Sequence, residues 1–168
     1  MAITLDRIDV TLLRELQTDA GRPNVELAKQ VGLSPAATLN RVRRLRDAGI
    51  LGPARARVDA NAAGFPLLVY VLATLAEHDE AAHRRFKAAV DKIPNVVSAD
   101  WVTGETDALL QVVARDVDEL QRVLLLLSSR AGAQRLVTLL RLEELKPAAP
   151  LPVAPASLSE RAAAREGA

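Results

Sequence analysis

The sequence predicts an α+β protein in two parts, a three-helix N-terminal helix-turn-helix domain joined to a C-terminal ferredoxin-like βαββαβ domain. Three observations predict it. Apolar residues recur at helical spacing through the first fifty residues, interrupted by turn formers. From residue 67 onward, short β-rich runs alternate with helical patterns. The charge also divides along the chain: residues 1–58 hold ten Lys and Arg against six Asp and Glu, a balance of +4, and residues 59–168 hold twelve against fifteen, a balance of −3. A basic first module and an acidic second one imply different partners, a polyanion for the first.

The first helix starts after Asp6, a capping residue, and carries Ile8, Leu12, Leu13 and Leu16 on one face until 19-DAGRPN-24 breaks it. A second helix is expected from Asn24 as N-cap, with Val25, Leu27, Ala28 and Val31 available to face inward, ending at Gly32. One residue later Ser34-Pro35 gives an N-cap followed by proline at the first helical position. Two helices joined by so short a turn cross steeply, which is the helix-turn-helix arrangement.

The third helix, from Pro35 to about Ala48, contains 41-RVRRLR-46, four arginines in six residues. Thr38, Val42 and Leu45 share the inward stripe. Asn40, Arg41 and Arg44 fall on another side, behind the small residues Ala36 and Ala37, where base edges would be met; Arg43 and Arg46 point to the flanks and suit phosphates. A charged helix stripe is often only a solvated face. The position of this one, on the second helix of a glycine-turned pair with no acid before Asp47, favours double-stranded DNA as partner.

In the second half, 67-LLVYVLATL-75 reads as a strand, 79–93 as a helix closed by Pro94, and 96–103 and 107–114 as strands flanking Gly104-Glu105-Thr106. A helix from Asp116 or Val117 to about Ser129 and a last strand over 135–146 complete two split βαβ units. Both helices can cover only one face of the sheet. Leu68, Tyr70, Leu72, Leu110, Val112, Leu139 and Leu142 exceed what that layer needs, so sheet-to-sheet homodimerisation is expected. The resulting division is 1–51 for the DNA-binding domain, 52–66 for a linker, 67–146 for the second domain, and 147–168 for a flexible tail with four prolines and eight alanines.

The run 21-GRPNVELAKQVGLSPAATLNRVRRLRDAGIL-51, with Leu5-Asp6 and Asp9 before it, resembles the N-terminal domain of the Lrp/AsnC transcriptional regulators. The matching elements are Gly21-Arg22, Glu26-Leu27-Ala28, Val31-Gly32-Leu33-Ser34, Arg41-Val42, Arg44-Leu45 and Gly49-Ile50. The resemblance implies a sequence-specific DNA-binding regulator, with Arg22, Ser34, Ala36, Ala37, Asn40, Arg41, Arg43 and Arg44 as the DNA-binding set. It also implies that the second domain senses an amino acid or related small-molecule effector and forms homodimers that can build octamers. The turn 103-TGETD-107 is similar to the family's Gly-x-x-Asp signature, making Gly104, Glu105 and Asp107 candidate effector-binding residues; a hairpin turn using acids for turn propensity is the alternative. Arg141 either meets an effector carboxylate or points outward from an edge. One departure is Gly52-Pro53-Ala54 after Gly49-Ile50-Leu51, where proline removes a backbone donor from the linker.

No catalytic motif emerges, neither a Walker loop, a GxGxxG after a strand nor a nucleophile elbow, so an enzyme is not expected. The absence of cysteine removes disulfides, thiolate metal sites and cysteine nucleophiles, and no cofactor or metal is expected. His78 and His83 are expected on the surface, on different faces of a helix start, and Glu143 and Glu144 on opposite faces of a strand. The chain has neither a signal peptide nor an apolar run of membrane-spanning length, which leads to the expectation of a cytoplasmic protein without a membrane partner. Two other readings stay open, an architectural DNA-binding protein of the same fold without effector response, and an enzyme or metabolite carrier with a vestigial N-terminal domain.

Overall fold

The computed structural model describes residues 4–77 and 79–155. The chain forms two compact units, one comprising Met1–Ala56 with Lys146–Ala168 and the other Arg57–Leu145.

The first unit holds α1 (Arg7–Thr18), α2 (Asn24–Val31) and α3 (Pro35–Asp47). α1 opens on a reciprocal capping box: the Asp6 side chain accepts from the Asp9 backbone N–H at 2.8 Å, and the Asp9 side chain accepts from that of Asp6 at 3.2 Å. α2 differs from expectation at its start. Pro23 is the N-cap and caps with no side-chain bond, and Asn24, inside the helix, donates its amide to the Pro35 carbonyl at 2.8 Å, bracing α2 against the start of α3. Val25 is also not inward: it is 53% exposed, because it stands two residues from Leu27 and so nearly opposite it on the helix. Gly32 ends α2 at φ 67°, a left-handed conformation that glycine adopts without a Cβ penalty. Ser34 then caps α3 by accepting from the Ala37 N–H at 3.2 Å.

Leu12, Leu16, Leu27 and Val42 form one apolar cluster, and Leu5, Val10, Leu13 and Leu45 a second, against which Ile50, Leu51 and Val153 pack. Leu12 and Leu45 are fully buried, each worth about 1.5–3 kcal/mol of transfer free energy. The presence of Val153 corrects the expectation of a flexible tail for the described part of 147–168. Leu151 and Val153 lie along α1, fastened by bonds to Gln17 and Arg14; residues 156–168 lie outside the described residues.

The second unit contains β1 (Leu67–Leu75), α4 (Glu80–Val90), β2 (Val96–Trp101), β3 (Ala108–Ala114), α5 (Val117–Ser129) and β4 (Ala133–Leu140). The sheet order is β2-β3-β1-β4 with every neighbouring pair antiparallel, the ferredoxin-like arrangement. Asp79 and Asp116 cap the two helices. Val69, Val71, Ala73 and Leu75 of β1 join Leu110 and Val112 of β3, Phe86 and Val90 of α4, and Val123 and Leu127 of α5 in a single core. The same strand parity therefore meets both helices, and Leu110 and Val112 belong to this layer. Tyr70, Leu72 and Leu109, of the opposite parity, are half-buried, and Leu139 is 49% exposed.

β4 ends at Leu140, short of the expected Lys146: Leu140 faces Val69 near the start of β1, and Arg141 N–H makes a last bond to the Leu68 carbonyl at 3.0 Å. Leu142 is therefore outside the strand and almost fully exposed, and Glu143 and Glu144 occupy no strand faces. Among the described residues, no helix is long and apolar enough to cross a membrane.

Candidate nucleic-acid interface and sensor turn

The inward stripe Thr38, Val42 and Leu45 fixes how α3 is rotated in its unit, since all three are buried. Thr38 satisfies its hydroxyl by donating to the Ser34 carbonyl at 3.1 Å. Ala36, Asn40 and Arg43, at i, i+4 and i+7, then share an exposed face. Leu39 and Arg46 border this face and are exposed as well.

Arg41 and Arg44 are placed differently from the sequence expectation. The Arg41 guanidinium donates to Asp6 at 2.6 Å and to Asp9 at 3.0 Å, and Arg44 also bonds Asp9. Asp9 is fully buried in side chain, whereas the Arg41 and Arg44 side chains are 29% and 47% exposed. Burial pushes the Asp6 carboxyl up, but the Asp9 backbone N–H and the Arg41 charge outweigh it and hold it below the ordinary carboxylate value. The bond to Asp6 in turn raises Arg41 above its ordinary value. These two arginines thus lean toward α1 and hold α3 to it, while Arg43, expected on a flank, stands with Asn40 on the open face. Arg22 is ion-paired to Glu15, and Ser34 is spent on its cap.

Asp9 was legible in the sequence only as a family-matching residue. The signal that would have marked it is its spacing: it sits four residues before Leu13 and seven before Leu16, a carboxylate on an apolar stripe. A buried carboxylate there requires a cationic partner, and α3 supplies two.

In the second unit, Gly104 has φ 125° and stands exposed in the β2–β3 turn with Glu105. Asp107 closes the turn. Its carbonyl accepts from Val102 at 2.9 Å, its N–H donates to the Ala73 carbonyl at 3.0 Å, and its carboxylate accepts the Leu75 N–H at 2.7 Å. That last bond falls beside the irregularity in β1–β4 pairing between Thr74 and Leu75. Asp107 therefore ties the turn to the end of β1. Arg141 is at the other end of the same strand, next to Leu68, with its guanidinium 3.6 Å from Glu144. Seven residues of strand separate the two positions, roughly 23 Å, so one protomer does not bring Arg141 to the turn.

A cavity of about 190 Å³ adjoins the turn between α4 and β2, lined by Phe86, Lys87, Val90, Asp100, Trp101 and Ala108 among others. Trp101 is 48% exposed and packs on His83, with ring centroids 4.7 Å apart, and on Phe86 at 5.3 Å. His83 is thereby half-buried, not a free surface residue as expected; His78 lies outside the described residues. Trp101 escaped the sequence reading because one aromatic in a strand carries no periodic signal.

Two family models match the chain. Residues 5–46 match the AsnC-type helix-turn-helix domain, and residues 68–151 match the Lrp/AsnC ligand binding domain. A leucine-responsive regulatory protein of Rhizobium meliloti is 37% identical over 147 residues, covering 87% of this chain and 94% of that protein. Among solved structures, a transcriptional regulator from Neisseria meningitidis, in complex with L-Met, superposes with a TM-score of 0.82 at 34% identity, covering 89% of this chain and 97% of that one. AsnC of E. coli gives 0.78 at 26% identity, covering 88% and 98%. Both family models match in chain order, the curated relative is covered over nearly its whole length, and the chain belongs to the Lrp/AsnC family of transcriptional regulators.

Proposed function

We propose that this protein is a cytoplasmic, non-enzymatic transcriptional regulator that reads DNA through the Ala36–Asn40–Arg43 face of α3 and responds to an amino acid bound near the Gly104–Asp107 turn. The exposed face of α3 carries this reading. Ala36 and Ala37 at the leading turn allow close approach to base edges, Asn40 can bond adenine through both amide atoms, and Arg43 can bond guanine or a phosphate. Arg46 and the last turn suit phosphate contacts. Arg41 and Arg44 act through α1: they set the rotation of α3, and Arg44 retains enough exposure to reach a phosphate as well.

For the effector, the Neisseria relative solved with L-Met supports an amino acid with an apolar side chain. The turn and the adjoining cavity by Trp101 offer the matching chemistry: an apolar wall from Phe86, Val90 and Trp101, and carboxylates from Asp100 and Glu105 for the ammonium group. Asp107 contributes by shaping the turn. The cavity is smaller than the roughly 300–1,000 Å³ typical of drug-sized ligands, consistent with a small metabolite. The half-exposed sheet face with Tyr70, Leu72 and Leu139 supports a homodimer, which brings two α3 helices to two half-sites.

The test is a gel shift on the DNA upstream of its own gene at two salt concentrations, with and without a panel of amino acids. Salt-sensitive, specific retardation that Asn40→Ala and Arg43→Ala weaken without loss of fold supports the reading. Retardation unchanged by both substitutions refutes the assigned face, and indifference to every amino acid favours the architectural alternative.

A further inference from the structure

The helix layer of the second unit carries another cavity, of about 350 Å³, between α4 and α5. Its floor is apolar: Ile93 belongs to the core of the unit, and Ala89 and Leu126 pack against that core. Arg85, Lys92 and Arg130 stand exposed around it, and among the described residues no acid lines it. The neighbouring cations of α4 are already balanced. Arg84 pairs with Glu80 at 2.9 Å, Arg85 with Glu77 at 2.9 Å and Lys87 with Asp91 at 2.7 Å. Among the described residues, Lys92 and Arg130 have no such carboxylate. They follow the ends of α4 and α5, where a cation complements the helix dipole, but that role needs each charge singly and no shared groove.

We propose that this groove binds a short aliphatic carboxylate that carries no ammonium group, with its chain on Ala89, Ile93 and Leu126 and its carboxylate held by Lys92 and Arg130. Arginine meets a carboxylate with two parallel N–H donors, and lysine adds a point charge. The volume falls within the roughly 300–1,000 Å³ of small-molecule sites. Because Glu77 and Glu80 balance the adjacent arginines, the free positive charge is local, which suits one small anion and not a polyanion. A free amino acid fits poorly: its ammonium would lie among cations with no carboxylate to receive it. The cavity beside Trp101 differs on this point, since Asp91 and Asp100 line it, and the two cavities share no lining residue. The groove therefore acts apart from the Gly104–Asp107 turn and selects by the absence of the amino group.

Methyl NMR of the full-length protein reads Ile93 and Leu126 directly. The probes are 4-methyl-2-oxopentanoate, 4-methylpentanoate, 4-methylpentanamide and leucine, which keep one chain and vary the charged end. Ligands this small bind with a Kd on the order of 1 mM. The two carboxylates should shift both methyl signals, and the neutral amide should not. A tighter oxo acid names deaminated amino acids as the source, and equal affinities name simple fatty acids; either supports the site. The Lys92→Ala/Arg130→Ala variant, altered only at exposed positions, should weaken carboxylate binding by about tenfold or more while keeping the fold. No shift at ~10 mM, ten times that Kd, overturns the site, as does equal binding of the amide. A titration unchanged in the double variant overturns it too, and a loss of thermal stability alongside would assign both cations to the helix dipoles. A leucine shift that disappears in the double variant overturns the discrimination against ammonium.

Discussion

Replacing Asp9 by alanine tests the arrangement of the DNA-binding unit most directly. Its carboxylate is wholly buried and accepts from three donors: Arg41, Arg44 and the Asp6 backbone N–H. Removing one member of a buried ion pair costs about 3–5 kcal/mol when the remaining charge is trapped. Here the remaining charges are not trapped. Arg41 keeps Asp6, and both arginine side chains already reach water, so solvent recovers part of the loss and about 2–3 kcal/mol is expected. For a unit of this size that lowers the midpoint of thermal unfolding by roughly 10–20 °C. Circular dichroism of α1–α3 on heating, with an Asp9→Ala/Arg41→Ala double-mutant cycle, measures it. A coupling energy of about 1–3 kcal/mol is expected between these contacting residues. A loss below about 0.5 kcal/mol, within the range of an ordinary surface substitution, would refute the claim that this carboxylate fastens α3, and with it the assignment of Arg41 and Arg44 to α1.

Four further outcomes follow from the same geometry. Arg43→Ala should weaken operator binding by roughly tenfold to a hundredfold at unchanged thermal stability, whereas Arg41→Ala should lose binding and stability together, as paired binding and melting experiments will show. Gly104→Val forces a β-branched residue to φ 125°, at a cost of about 1–3 kcal/mol, and should diminish the amino-acid response; calorimetry and the gel shift check both. The Arg115 guanidinium holds the Glu119 carboxyl down to about 2 from an ordinary 4.5, so the pair contributes fully above the ordinary value and loses its contribution as pH falls toward 2; urea midpoints of the parent and Glu119→Gln should therefore converge on acidification from pH 6. Leu139→Asp places a charge on the half-exposed sheet face and should shift sedimentation toward monomer if that face pairs between protomers.

The elements that were legible in the sequence are those specified locally. Gly32, Ser34 and Pro35 fix the turn between α2 and α3 through conformational preference and capping, which operate within three or four residues. The β1 run and the helix starts near Asp79 and Asp116 are local in the same sense. What escaped depends on distant partners. The last residue of β4 pairs with Val69 of β1, some seventy residues earlier, and a run of leucines carries no mark of that register. Leu151 and Val153 lie in a stretch rich in proline and alanine, a composition that signals a tail, and their seat exists only because α1 presents Gln17 and Arg14 more than 130 positions away. The rotation of α3 was half legible: the inward stripe was, but the choice between Arg41 and Arg43 for the open face depended on a buried acid on another helix.

That choice bears on how tightly one protomer can bind. The four arginines of 41-RVRRLR-46 look like a strong polyanion grip, yet Asp6 and Asp9 already balance two of them. Arg22, also expected at the interface, is balanced by Glu15. Arg43 and Arg46 remain as the exposed arginines of α3 outside that latch, so a single unit makes few phosphate contacts and, on counterion release alone, binds DNA weakly and with a shallow salt dependence. Useful affinity then has to come from joining two units, whose second contact is nearly intramolecular once the first has formed. The gain depends on both α3 helices meeting their half-sites without strain, so anything that changes their relative orientation changes affinity without touching a DNA contact. An effector that touches no DNA contact can therefore regulate binding by geometry alone, and the weakness of each half is what makes that regulation possible.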